Sequence, residues 1–415
     1  MARRSVQVVG CIALAILLVC VVGHAAPATK LPKISFMHYL SAETMEILQP
    51  LIDEFEAANN AEVDVTSVSS AEVVTKLQIM AVTGVMPDVM RLGSEFINLV
   101  PANPFADLAP FVARDRVAAS DFYAPVWNSF VIGGKLIAVP TEISTFVTYY
   151  NTDRFDEAGV AHPPHDPSAQ HWNWDTLMET AAKLTDSPDS TPRRFGVAGF
   201  GDMWMWPSWW GGEWLDPQAR RSLAETPNTI LALQKVADAY LVHNVVGGSF
   251  NGATAAMVYS GSWSTPTYAR LGFDWDLAPL AMGTRRSTIL YPNGLFMSQN
   301  SAHKEEAWKF IRFMTTELEA AKTWSTALGR IPGLRRLGQH FVNLQSKLRD
   351  GVDYHVFLMA MNYAEYPALR KVPEAFDLQG VLNSGWTSIR TGQVSVAAGV
   401  ANLSRQINAL LEAKP

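Results

Sequence analysis

The sequence predicts an α/β protein of two or three domains. β-prone runs alternate with amphipathic helical runs from residue 33 onward, the links between them are short, and 415 residues exceed what one small core holds. No internal repeat or low-complexity linker separates the parts, so the domains read as interleaved along the chain.

The elements follow in order. "KISFMHYL" (33–40) is apolar and β-prone, a first strand. "AETMEILQPLIDEFEAANN" places Leu48, Leu51, Ile52 and Phe55 at helical spacing, with Asn59 and Asn60 ending the run. Pro50 inside it predicts a kink or a later helix start, because proline removes a backbone donor. "AEVDVTSV" is a second strand, "SAEVVTKLQIMAVTG" a second helix closed by Gly84, and "PDVMRL" a third strand. That alternation is the pattern of a parallel sheet. Further along, "GGKLIAVP", "TFVTYYN", "RFGVAGF" and "ATAAMVYSG" read as strands. "WDTLMETAAKLTD", "TPNTILALQKVADAYLVHN", "EEAWKFIRFMTTELEAAKTWS" (one long helix) and "SVAAGVANLSRQINALLE" read as helices.

Hydrophobic residues make up 48% of the chain and charged residues 17%, as in a packed globular protein. A formal charge of −6 and the lack of any long Lys/Arg run exclude a nucleic-acid binder. At the N-terminus, Arg3 and Arg4 precede an apolar run from Val6 to Val22, followed by small residues at Gly23, Ala25, Ala26 and Ala28. This is the layout of a secretory signal peptide spanning 1–28, with cleavage near 25–28. Cleavage would remove both cysteines, Cys11 and Cys20, and leave 31 basic against 39 acidic residues, a charge of −8. An exported chain without thiols holds neither disulfides nor a Cys-based metal site. It localises to the periplasm or outside the cell, with a membrane tether left open.

Residues 200–214, "FGDMWMWPSWWGGEW", hold five of the thirteen tryptophans, with Asp202 and Glu213 as the acidic residues among them. Sugars have apolar C–H faces that an indole covers and hydroxyl rims that carboxylates and amides bind. Five indoles exceed what one ring face needs, so some belong to a core. The segment lacks the basic amphipathic character of a membrane-surface helix. Motifs for dinucleotides, P-loop phosphates, H-E-x-x-H zinc, G-x-S-x-G hydrolysis and EF-hand calcium are missing from the sequence. His162, His165 and His171 share a Pro-rich loop, which reads as a solvated loop before it reads as a zinc site. Asp53, Glu54 and Glu56 read as a solvated helix face; an exported glycan-degrading enzyme would need two inward carboxyls at a fixed separation.

The segments "TGVMPDVMRL", "GGKLIAVPTEISTFVTYYNTDRFDEAGV", "WNWDTLMETAAKLT", "AAMVYSGSW" and "HKEEAWKFIRFMTT" resemble, in order and spacing, the extracellular solute-binding proteins of ABC importers. The likeness is to the branch with maltodextrin- and glycerol-phosphate-binding proteins, and runs from about Lys33 to the C-terminus. It implies a two-lobe periplasmic-binding-protein fold (type II), each lobe a sheet flanked by helices, with a hinged cleft between. By that likeness residues 29–143 with 293–330 form one lobe, and 144–292 with 331–415 the other. The chain crosses near Thr141 to Thr148, Tyr291 to Leu295 and "GRIPG".

The resemblance implies ligand contacts at Tyr39, Glu72, Glu95, Glu142, Asn293 and Gly294, and at Trp204, Trp206, Trp209, Trp210 or Trp214 of the tryptophan stretch. Trp263, after "AAMVYSGS", is the sharpest single expectation, with Ser262 and Tyr259 beside it. Near the C-terminus Arg370, Lys371 and Phe376 stand where a late contact falls, and Arg370 gives weight to an anionic guest such as a glycerophosphodiester. The implied partners are a small solute, most readily a sugar or polyol, and a membrane permease, for a monomer with no cofactor, no metal and no chemistry of its own. An exported glycan-degrading enzyme, and a polyamine or peptide binder of the same fold, stand as alternatives.

Overall fold

In the computed structural model of this chain, three β-strands run parallel at the N-terminal end: Lys33–His38, Glu62–Ser67 and Val89–Gly93. The model describes residues 31–69, 71–99 and 104–413; the signal segment 1–28 and both cysteines lie outside the described residues. The helix joining the first two strands, Ala42–Asn59, starts where the Ser41 side chain accepts from the Thr44 amide and ends at Asn60 in the left-handed region. It buries Leu48, Leu51, Ile52 and Phe55 as the spacing predicts. It also runs through Pro50, which faces solvent, so the carbonyl that proline leaves without a donor is not sealed in the core.

The first sheet is mixed, not purely parallel. Its strand order is Ile331–Pro332, Ala138–Thr145, Thr288–Met297, Val89–Gly93, Lys33–His38, Glu62–Ser67, with Ala364–Glu365 added beside Thr288–Met297. The strands from the later chain enter antiparallel. All three expected crossings therefore lie side by side as neighbouring strands. Their centre is Glu142, in register with Asn293 on one side and Pro332 on the other.

A second sheet holds Trp275–Ala278, Val147–Asn151, Ala255–Ser260 and Phe195–Val197. One apolar core surrounds the first sheet; a second joins the second sheet to the tryptophan segment. A third cluster lies around Tyr149, Trp275, Tyr354 and Phe357.

Two helical expectations need correction. The long helix expected over 305–325 is two helices, Lys304–Thr316 and Leu318–Leu328, broken at Glu317, whose ψ of 128° is extended. The turn lets the second helix pack on Ala42–Asn59 and carries Trp324 to Glu142. The C-terminal region also holds a helix without a sequence counterpart above, Ala375–Arg390, antiparallel to Val396–Glu412. Glycine permits the close approach: a Cβ at Gly385 would lie 2.4 Å from Leu403, and one at Gly399 2.4 Å from Ile389.

Candidate functional site

The crossing strands place aromatic residues on one face. Phe146 follows the first crossing strand and Tyr291 lies on the second. The turn after strand Ala255–Ser260 delivers Trp263 to both, edge-to-face at 5.5 Å from Phe146 and 5.3 Å from Tyr291. Ser262, fully buried, fixes that turn: its hydroxyl meets Ser144 at 2.9 Å and its amide donates to the same Ser144 oxygen. Trp263 itself is 37% exposed, the one tryptophan among the large exposed apolar residues described.

Asp202 faces this group from the tryptophan segment. Its carboxylate caps the turn Met203–Met205 by accepting from the Trp204 amide, and its other oxygen accepts from the Tyr291 hydroxyl at 2.7 Å. Arg370 stacks between Tyr291 (4.4 Å) and Trp204 (5.1 Å), with an Nη 4.0 Å from Asp202. A cavity of about 400 Å3 opens beside them, lined among others by Phe146, Asp202, Trp206, Tyr240, Asn383 and Trp386. On the neighbouring strands Tyr39 donates to Asn293 Oδ1 at 2.8 Å, with Phe96 edge-on to Tyr39. Asn293 is two residues beyond Tyr291, hence on the same strand face.

The expected residues thus divide. Trp263, Ser262, Arg370, Trp204 and Trp206 gather at this face, and Tyr39 and Asn293 stand together on the adjoining strands. Trp206 lines the cavity while donating to the Phe200 carbonyl and packing on Trp386.

Trp209 is 0% exposed and donates to the Ser287 carbonyl; Trp214 is equally buried and donates to the Met203 carbonyl. Neither offers a face to a guest, because each ring fills the core. Tyr259 is buried against Trp209 and Phe200. Trp210 packs on Trp174 and edges a different hollow, with Gln170, Asn173 and Lys235. Gly294 answers a packing need: a Cβ there would lie 2.9 Å from the Val139 carbonyl. Glu72 is exposed and accepts from the Ser69 hydroxyl, which holds its carboxyl below the ordinary value. The side chains of Glu95 and Phe376 lie outside the described residues, and Lys371 is an exposed residue near the Tyr366 ring.

Glu142 takes a structural part in place of the ligand contact expected of it. It is 0% exposed, bonded through one oxygen to Arg91 and through the other to Trp324 at 2.7 Å, with Arg330 3.8 Å away. Burial alone would raise its carboxyl; Arg91, then Arg330, bring it below the ordinary value. Arg91 in turn lies over the Tyr39 ring at 4.7 Å. In the Pro-rich loop His162 pairs with Asp156, and His165 with Asp276 and Asp353.

Phe146, Asp202, Tyr240, Tyr291, Asn383 and Trp386 went unnamed as contacts in the sequence. A signal existed for two: Phe146 and Tyr291 fall inside the crossing segments themselves. Trp386 sits on the unrecognised helix, so only folding could bring it here.

A family model described as "Bacterial extracellular solute-binding protein" matches residues 41–320. The chain belongs to this family. Its members are binding proteins, not enzymes, exported from the cell. Among the described residues of this solute-binding protein, no helix is long and apolar enough to cross a membrane. It is 21% identical over 329 residues to a maltotriose-binding protein of Pyrococcus abyssi, covering 73% of this chain and 66% of the relative's length. A Listeria monocytogenes ABC substrate-binding protein in complex with cycloalternan superposes with a TM-score of 0.78 at 22% identity, over 91% of this chain and 98% of that one. A cyclic α-maltosyl-1,6-maltose binding protein from Arthrobacter globiformis gives 0.77 at 18% identity, over 93% and 100%. The shared fold is the two-lobe one, with sheets flanked by helices.

Proposed function

We propose that this protein captures a neutral carbohydrate for an ABC importer, stacking it on Trp263 next to the cavity that Phe146, Tyr291 and Asp202 line. The observation that carries the reading is the exposed Trp263 ring set among Phe146, Tyr291 and a carboxylate. An apolar plane with hydroxyl acceptors at its rim suits a sugar. The sugar-binding names of its relatives support the same class. Arg370, which raised the prospect of an anionic guest, faces Asp202, so its charge is already balanced within the protein.

Residues 29–143 with 293–330 act as one lobe and 144–292 with 331–415 as the other. The paired crossing strands bend as a unit, so closure is a rigid-body motion. A guest touching both lobes stabilises the closed form, and a membrane permease reads that form. The mature protein, without residues 1–28, works as a periplasmic monomer and needs no cofactor.

Titration calorimetry against neutral sugars and matching phosphate esters tests this. Saturable one-to-one binding of a neutral sugar, little changed by salt, is expected. Binding confined to the esters and weakening with salt would overturn it, as would new reducing ends released from an oligosaccharide.

A further inference from the structure

A second cavity, of about 330 Å3, is walled by Trp204, Leu215, Pro217 and Tyr366, with Glu213 and Glu365 contributing carboxylates. It adjoins the first through Arg370, which stacks on Trp204 here and on Tyr291 there. One polar group of its wall is unmet and, among the described residues, one carboxylate there has no protein partner. Trp204 is 4% exposed, and its indole N–H is buried without an acceptor. A buried donor without an acceptor is costly, and points to one supplied from outside.

The carboxylate without a protein partner is Glu213. Among the described residues no hydrogen bond or ion pair engages its carboxylate, whereas Glu365 is held by both Arg285 nitrogens, one at 2.7 Å. Two carboxylates of the first site have cations as well: Glu142 has Arg91, and Asp202 has Arg370 at 4.0 Å. Glu213 lines the cavity and is exposed to solvent there. Burial nonetheless pushes its carboxyl up, and the neighbouring Glu365 charge pushes it further, against the pull of Arg285.

We propose that this cavity receives a sugar unit bearing a protonated amino group, the ammonium paired with Glu213 and a ring or hydroxyl oxygen accepting from Trp204 Nε1. The inference rests on the carbohydrate reading and narrows its substrate class. A neutral hydroxyl could bond to Glu213 but would bring it no opposite charge, whereas Glu365 already has Arg285. A bare cation would leave the indole N–H unmet. A sugar amine answers both, and its C–H face lies against Leu215 and Pro217.

The test is calorimetry on the full mature chain with matched sugar pairs that differ only in an amine for a hydroxyl: glucosamine and glucose, galactosamine and galactose, chitosan disaccharide and cellobiose. The N-acetylated forms serve as a third arm. At least one amine should bind about tenfold or more tightly than its hydroxyl and acetamide partners. Glu213→Gln, nearly isosteric, should shrink that advantage to about twofold. Trp204→Phe should weaken both members of the pair alike. The proposal falls if no pair favours the amine, or if the advantage survives Glu213→Gln. If neutral sugars bind and amines gain nothing, the carbohydrate reading stands and this inference alone is lost. If no sugar of any kind binds, both are lost.

Discussion

Trp209 and Trp263 are the same residue type put to opposite uses. Trp209 is sealed in the core of the second sheet, its N–H held by Ser287, with Tyr259 and Trp174 around it. Trp263 stands on the turn after strand Ala255–Ser260, a third of its surface open. Removing an indole from water stabilises by roughly 4–6 kcal/mol if 150–250 Å2 are buried. Trp209 has made that gain already. Trp263 has kept part of it back, and a guest can collect it. Exposure of an aromatic face is thus the physical mark that separates a binding ring from a packing ring.

The sharpest way to break this contrast is to truncate both. Trp209→Ala should cost about 3–5 kcal/mol of stability, read by urea unfolding, because it leaves a cavity in the core. Trp263→Ala should cost about 1 kcal/mol or less; equal costs would erase the distinction.

The carboxylates repeat the contrast between Glu142, sealed, and Asp202, at the cavity. Glu142→Ala strands Arg91 as a buried unpaired charge and should destabilise by about 3–5 kcal/mol. Asp202→Asn should leave the melting temperature within a few degrees and weaken sugar binding instead. Melting curves and calorimetry on both variants decide it.

His38 extends the comparison to pH. Burial, then Arg91, lowers its pKa to about 4, from an ordinary value of 6.5. The folded chain therefore refuses a proton that the unfolded chain accepts between those values. The His38 contribution is fully present above pH 6.5 and fades as pH falls toward 4, by up to about 3 kcal/mol. His38→Gln should flatten stability over that window; an unchanged slope would assign it elsewhere.

For ligand binding, Trp263→Ala should lower sugar affinity about tenfold or more, near 1.4 kcal/mol. Gly261→Ala is the finest probe, since its Cβ would lie 2.3 Å from the Trp263 ring. Moving that ring without deleting it should weaken binding several-fold at little cost in stability, by calorimetry and melting curves together.

Much of the fold was legible in the sequence where period and punctuation agree. The helix Ala42–Asn59 and the strands around it follow from Leu48, Leu51, Ile52 and Phe55 and from Gly84, whose φ of 73° closes the next helix. The break at Glu317 was not legible, because "TTELEA" carries no glycine or proline to announce it. Nor was the helix Ala375–Arg390, whose Gly380 and Gly385 argue locally against helix while Gly385 admits Leu403. Around the candidate site, the strand and turn that carry Trp263 were readable from "AAMVYSGSW". Glu142 misled, because nothing local says that an Arg and a Trp from distant helices and strands will close on it.

The amino-acid order by itself determined the alternating strands and helices and the class of the protein, since these depend on local periodicity and composition. Only the tertiary structure decided which indoles face a cavity and which carboxylates already hold a cation. Burial and charge pairing depend on distances between residues far apart in the chain, and those distances exist only after the chain has packed.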